Sequence, residues 1–100
     1  MGKLYRKKPI AVEVMQFIGT NWRDIEIWSD DSVYVRGTKL PDYQKEMEMT
    51  VTTLEGQVRA KVGDYIIRGV RGEFYPCEKS IFEETYYEVT KEDGFNYGDS

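Results

Sequence analysis

The sequence VGDYIIRGVRGEFYPC at residues 62–77 decides the fold class. Two runs of β-branched and aromatic residues, 65–68 and 73–75, flank the glycine-containing segment Gly-Val-Arg-Gly. Glycine readily adopts the positive φ that tight turns need, so this pattern predicts a β-hairpin. Gly63-Asp64 marks a turn before the hairpin, and Pro76 is predicted to end its second strand.

The segment just before it predicts another hairpin. Residues 49–54 have strand character, Glu55-Gly56 is a turn signal, and residues 57–62 alternate between polar and apolar side chains. Such alternation is typical of a strand that is buried on one face only. It places Val58, Ala60 and Val62 inward, and Gln57, Arg59 and Lys61 outward.

Further upstream, residues 10–18 predict a strand that we expect to be central, because both of its faces are partly apolar. Residues 20–28 predict a short helix in which Trp22, Ile25 and Trp28 share one apolar stripe that packs on the core. A short strand is predicted at 33–35. The charged segment 38–47 is predicted to be a loop.

Downstream of the hairpin, Ser80 and Glu83 match the capping box that begins a helix. One or two helical turns are predicted there, followed by a strand at 85–89. Residues 91–100 are acidic and rich in glycine, and we expect a flexible tail.

Together these elements predict an α+β fold with a single domain at residues 1–90. Five to seven short, mostly antiparallel strands would form a small curled sheet or half-barrel, with two short helices at its ends. One hundred residues suffice for one modest core.

Composition narrows the class of protein. The formal net charge is −4, which disfavours a protein that coats nucleic acid. The single cysteine, Cys77, forms no internal disulfide, and this predicts a reducing cytoplasm. The apolar run after the basic leader (residues 1–9) is interrupted by Glu13 and Gln16, so we expect neither a signal peptide nor a membrane span.

Four short motifs carry a resemblance to a known family. They are YRKKP at 5–9, GDYII at 63–67, GEFYPC at 72–77 and IFEETY at 81–86. In these motifs the chain resembles a family of small proteins of tailed phages and prophages, with Val62 where many relatives have Pro. The resemblance implies an accessory phage product that acts in the cytoplasm of an infected bacterium, and it assigns no catalytic or ligand residue.

The sequence contains few of the residue types that catalytic and metal sites need. With one cysteine and no histidine we expect no metal and no cofactor, and Cys77 is predicted to be a small apolar group at a strand end. Asp64 and Glu73 are the best candidates for a carboxylate pair. We expect instead that Asp64 makes a turn hydrogen bond and that Glu73 pairs with Arg68 or Arg71.

The candidate binding surface is the face of the hairpin region 59–75. Arginines bind anions in a bidentate manner, and tyrosines stack on planar ligands. Backbone amides of the turn at 69–72 offer a further anion site. The residues assigned to this surface are Arg59, Lys61, Tyr65, Arg68, Arg71 and Tyr75.

The sequence thus predicts a non-catalytic binding module that engages a host bacterial protein or a small anionic ligand through that face. Two alternatives remain open: a single-stranded nucleic-acid-binding protein and a carboxylate-dependent enzyme. A homodimer formed through a strand edge at 33–35 or 86–89 is a further expectation. The role of residues 30–50 is left open.

Overall fold

The computed structural model of the protein describes residues 2–6, 8–35 and 47–89. These residues form six strands and two helices in an α+β arrangement. In chain order the elements are β1 (Glu13–Gln16), α1 (Trp22–Trp28), β2 (Val33–Tyr34), β3 (Glu48–Thr53), β4 (Gly56–Lys61), β5 (Tyr65–Arg68), β6 (Phe74–Cys77) and α2 (Lys79–Thr85).

The strands form two antiparallel sheets of three strands each. Sheet I has the order β1-β5-β6, and sheet II has the order β2-β3-β4. The predicted α+β class, with antiparallel strands and two short helices, is therefore confirmed. The strands do not form one continuous curled sheet, and in the described part of the chain there is no closed barrel.

The turn between β4 and β5 explains this division. Gly63 adopts φ +103°, and the Asp64 carboxylate accepts a hydrogen bond from the Lys61 backbone N–H at 3.0 Å. The chain then joins β1: Phe17 N–H donates to Asp64 O at 2.8 Å, and Gly63 N–H donates to Phe17 O at 2.7 Å. β5 consequently pairs with β1 rather than with β4, and a second sheet begins.

The core lies where the inner faces of the two sheets meet α1. Trp22 and Trp28 pack against it from the helix, as predicted, and Trp28 meets Phe74 edge-on with 5.1 Å between ring centroids. Apolar side chains from β1, α1 and both sheets are removed from water there, which stabilises the fold. The buried members are Phe17, Ile25, Val33, Met47, Met49, Val51, Ala60, Ile66 and Phe74.

Two predictions about burial in strands are wrong. β1 lies at the edge of sheet I rather than in its centre. Its inward face carries Met15 and leads to Phe17, whereas the apolar face with Val12 and Val14 lies outside the core. Val58 was predicted to be fully inward with Ala60, but it is 42% exposed although Ala60, on the same face of β4, is buried.

Three predictions at the C-terminal side are also wrong. β6 continues through Pro76 to Cys77, because an edge strand tolerates a residue without an N–H. α2 begins after Glu78, with no side-chain capping bond in this described segment, and Ser80 Oγ donates to Glu78 Oε1 at 2.8 Å instead. Thr85 ends α2, and residues 86–89 belong to no strand among the described residues.

Most of the predicted loop at 38–47 and the predicted tail at 91–100 lie outside the described residues. Neither of the two helices is long and apolar enough to cross a membrane.

Candidate partner-binding site

The structure separates the six residues that the sequence assigned to one binding face. Arg59 and Lys61 lie on the outer face of sheet II, since they alternate with the buried Ala60 along β4. The Arg59 guanidinium is paired with the Glu48 carboxylate of β3 at 3.2 Å. The charge of Arg59 is thus balanced by a carboxylate of the neighbouring strand.

Arg68 and Arg71 lie elsewhere. Arg68 shares the face of sheet I that carries Ile66, where it pairs with Glu13 of β1 at 3.1 Å and lies 5.6 Å from the centroid of the Phe74 ring. Arg71 lies in the turn between β5 and β6. Of the predicted partners of Glu73, Arg68 is wrong, because Arg68 pairs with Glu13 opposite it in the ladder. Arg71 contacts Glu73 through its backbone N–H rather than as an ion pair.

Tyr65 and Tyr75 occupy the opposite, outer face of sheet I. Tyr75 is opposite Ile67 in the ladder, so it lies on the same side as Tyr65, two residues before Ile67. The expected gathering of four cations and two tyrosines on one face is therefore not found. The binding role of each residue remains a prediction.

In the turn at 69–72, the Glu73 carboxylate occupies the place predicted for an external anion. The Arg71 backbone N–H donates to Glu73 Oε1 at 2.9 Å, and a Cβ added to Gly69 would lie 2.5 Å from the Glu73 carboxylate. The carboxylate thus packs directly over Gly69, where a side chain would collide with it. The Arg71 N–H, which was predicted to be able to bind an external anion, therefore already donates to Glu73.

The candidate carboxylate pair is not assembled. Asp64 precedes β5 and Glu73 precedes β6, and these strands are antiparallel, so the two residues lie at opposite ends of the hairpin. Glu73 lies opposite Gly69, five residues along the strand from Asp64, a separation of about 17 Å at roughly 3.3 Å per residue. Asp64 makes the turn hydrogen bond that was expected of it.

Cys77 is the last residue of β6 and is half-buried. Burial, followed by the nearby carboxylates of Asp64 and Glu78, raises the pKa of its thiol, which keeps it protonated and weakly nucleophilic at neutral pH. Within residues 2–6, 8–35 and 47–89, no group of three or more potential metal ligands comes together.

The outer face of sheet I carries the most developed surface feature. The Phe82 ring of α2 stacks on Tyr65 of β5 with 3.9 Å between centroids, and Tyr86 stacks on Phe82 at 4.7 Å. Phe82 and Tyr86 are four residues apart and therefore share one side of the helical turn. The Tyr65 hydroxyl donates to Glu83 Oε2 at 3.3 Å, which completes the contact of α2 with the sheet.

A groove of about 510 Å³ runs beside this aromatic stack. We call it the aromatic groove. Two of its lining residues are carboxylates, and none of the described lining residues is a lysine or an arginine. Its lining is Ile10, Ala11, Val12, Val14, Gln16, Tyr65, Phe82, Glu83, Tyr86, Tyr87, Glu88 and Val89.

A second cavity of about 790 Å³ lies on the other side of α2. It shares Ile10, Val12 and Tyr86 with the aromatic groove, and Tyr75 and Cys77 form part of its floor. α2 therefore stands between two open cavities and contacts sheet I mainly through aromatic side chains.

The environment of Tyr65 and Tyr75 raises the pKa of phenols that are already neutral at neutral pH. Burial, then the adjacent Tyr86 hydroxyl, raises the pKa of Tyr75 to about 12. Partial desolvation, followed by the Glu83 carboxylate, raises the pKa of Tyr65. At neutral pH the negative charge of the groove therefore comes from Glu83 and Glu88, with the tyrosines acting as uncharged aromatic surfaces.

The sequence-based assignment included Tyr65 but missed Phe82, Glu83, Tyr86 and Glu88. The spacing of Phe82 and Tyr86 was a usable signal, since it places two aromatic rings on one side of a helix. This signal was missed because residues 85–89 have the composition of a strand. Tyr86 was therefore assigned to a strand rather than to the C-terminal end of α2. Comparison of the chain with protein-family models, curated proteins and solved structures gave no match.

Proposed function

We propose that this protein is a non-catalytic binding module that captures a basic, partly apolar segment of a host protein in the aromatic groove. The proposal keeps the phage-type accessory role in the bacterial cytoplasm that the family resemblance implies. It moves the contact surface from the arginines of 59–75 to the outer face of sheet I. The observation that carries it is the composition of the groove, which combines stacked aromatic rings with two carboxylates.

Such a lining suits a cationic partner rather than an anionic one. Aromatic rings attract Lys and Arg side chains through their π faces, and carboxylates bind the same groups by charge-assisted hydrogen bonds. The apolar residues Val12, Val14 and Val89 would bury aliphatic side chains of the same segment. A phosphate-bearing ligand would meet repulsion from Glu83 and Glu88, so this groove does not favour nucleic acid.

Two synthetic peptides of equal length test the proposal. One alternates Lys with Leu and Tyr, and the other has Glu in place of every Lys. We expect fluorescence anisotropy to show binding of the basic peptide only, weakened about tenfold by Glu83→Lys/Glu88→Lys, since each close ion pair contributes up to about 1 kcal/mol.

The control variant is Glu48→Lys/Glu55→Lys on the β3–β4 hairpin, which changes the net charge by the same amount away from the groove. We expect it to bind the basic peptide like the unmodified protein. Equal loss of binding in the control variant, or equal binding of the two peptides, would contradict a specific cationic site. A gel shift with single-stranded DNA at low salt tests the nucleic-acid alternative on the same samples.

A further inference from the structure

The basic leader of the chain exposes apolar side chains to water. Leu4 is 101% exposed and Tyr5 is 89% exposed, so neither contacts the body of the protein. Lys3 and Arg6 flank them and are also exposed. The leader therefore presents two apolar side chains between two cations, a combination that suits the aromatic groove, and in its own chain these side chains are exposed.

The leader emerges at the border of the aromatic groove. Ile10 lines the groove, and Leu4 lies six residues before it, a reach of at most about 20 Å in an extended chain. Ile10 N–H donates to Lys8 O at 2.9 Å across Pro9, which forms a tight turn with the fixed φ of proline. This turn sets the backbone at Pro9, and the apolar residues Leu4 and Tyr5 are exposed.

The opposite wall of the groove includes a segment with the composition of a strand. Residues 86–89 have the composition of a strand, and Tyr86 has extended backbone angles, φ −126° and ψ 155°. Among the described residues, the backbone groups of 87–89 form no backbone–backbone hydrogen bond. An incoming extended segment would pair with this wall by adding a strand, a common mode of peptide recognition.

We propose that the aromatic groove of one copy receives the leader of a second copy, and that the protein forms a reciprocal homodimer in this way. Lys3 and Arg6 of the leader lie against Glu83 and Glu88, while Leu4 and Tyr5 cover the aromatic stack. This inference rests on the groove of the proposed function, and it makes the leader a competitor of the host segment. Because both partners exchange the same element, the assembly closes at two copies.

Charge exchange between leader and groove tests this arrangement. One variant, Lys3→Glu/Arg6→Glu, has an acidic leader, and the other, Glu83→Lys/Glu88→Lys, has a basic groove. We expect analytical ultracentrifugation to show a concentration-dependent dimer for the unmodified protein and at least about tenfold weaker dimerisation for each variant alone. An equimolar mixture of the two variants restores the dimer, because each leader then meets a groove of opposite charge.

Circular dichroism shows whether each variant is folded, and the leader variant changes only exposed residues outside the elements. The control variant Glu48→Lys/Glu55→Lys should dimerise like the unmodified protein. A monomer at all concentrations, or two variants that stay monomeric when mixed, overturns the inference. If the monomer still binds the basic peptide with dependence on Glu83 and Glu88, the proposed function stands without the dimer; if it does not, both fail.

Discussion

The two helices have the same length and opposite roles. α1 and α2 each span seven residues, but α1 buries Ile25 and Glu26, whereas α2, which is described in full, buries none of its residues. α1 closes the core between the two sheets, and α2 rests on the outside of sheet I through stacked rings. Length and composition alone therefore do not show whether a short helix stabilises a fold or presents a surface.

The physical difference lies in what each helix contacts. The apolar stripe of α1 faces the core, where Ile25 is fully buried and Trp22 and Trp28 are partly buried. The rings of α2 contact one another and Tyr65, while Ile81 remains 51% exposed. A helix held mainly by such contacts opens locally at a lower free energy than the core elements do. The proposed binding surface is thus carried by an element whose movement leaves the core intact.

The largest expected difference between the helices concerns one isoleucine in each. Ile25→Ala should lower the free energy of unfolding by about 2–5 kcal/mol, because it removes buried methyl groups and leaves a cavity. Ile81→Ala, the matched change on α2, should cost less than about 0.5 kcal/mol because that side chain is half-exposed. Urea denaturation followed by tryptophan fluorescence measures both. Similar losses would show that α2 is part of the core in solution.

A pair of glutamates gives the next largest difference. Glu26 is buried, pairs with Arg23 at 2.8 Å and accepts the Val35 backbone N–H at 3.0 Å. Glu26→Ala should cost about 1–3 kcal/mol, since it leaves that N–H without its acceptor. Glu83→Ala on α2 should change stability by less than about 0.5 kcal/mol, because its bond to Tyr65 is exposed. Equal effects in urea denaturation would remove the distinction between the two helices.

The smallest effect is a pH dependence on the α2 side. The pKa of Tyr75 is about 12 in the folded protein against 10.0 in its ordinary state. Its contribution to stability is therefore complete below pH 10 and is lost as the pH rises towards 12, because the unfolded chain releases the proton first. Tyr75→Phe should reduce this alkaline loss, measured as the denaturation midpoint at increasing pH. An unchanged profile would show that Tyr75 is freely exposed.

Local patterns predicted the elements with strong periodicity. The stripe of Trp22, Ile25 and Trp28 correctly predicted α1. The glycine-containing turns at 55–56 and 69–72 correctly predicted the β3–β4 and β5–β6 hairpins. In contrast, the position of β1 at a sheet edge depends on pairing with β5, more than fifty residues away, and no local pattern carries that information.

The candidate site was less predictable than the fold for a related reason. Periodicity tells which side chains leave a strand together, but it does not tell which strands share a sheet. Arg59 lies on the outer face of sheet II, whereas Arg68 lies on the face of sheet I that carries Ile66, because the turn at Gly63-Asp64 places them in different sheets. In the aromatic stack, Phe82 of α2 contacts Tyr65, which lies 17 residues earlier in the chain. Local sequence patterns do not predict such a contact, so only the structure shows it.

Pro76 has a consequence for the protein at high concentration. β6 forms one border of sheet I, and the proline in it lacks the N–H that a further strand would need at that point. An edge strand without such an interruption can pair with strands of other chains, which leads to aggregation. A proline in an edge strand is one of the features by which natural sheets prevent this pairing. The residue that a local pattern assigned to the end of a strand thus protects that strand from aggregation.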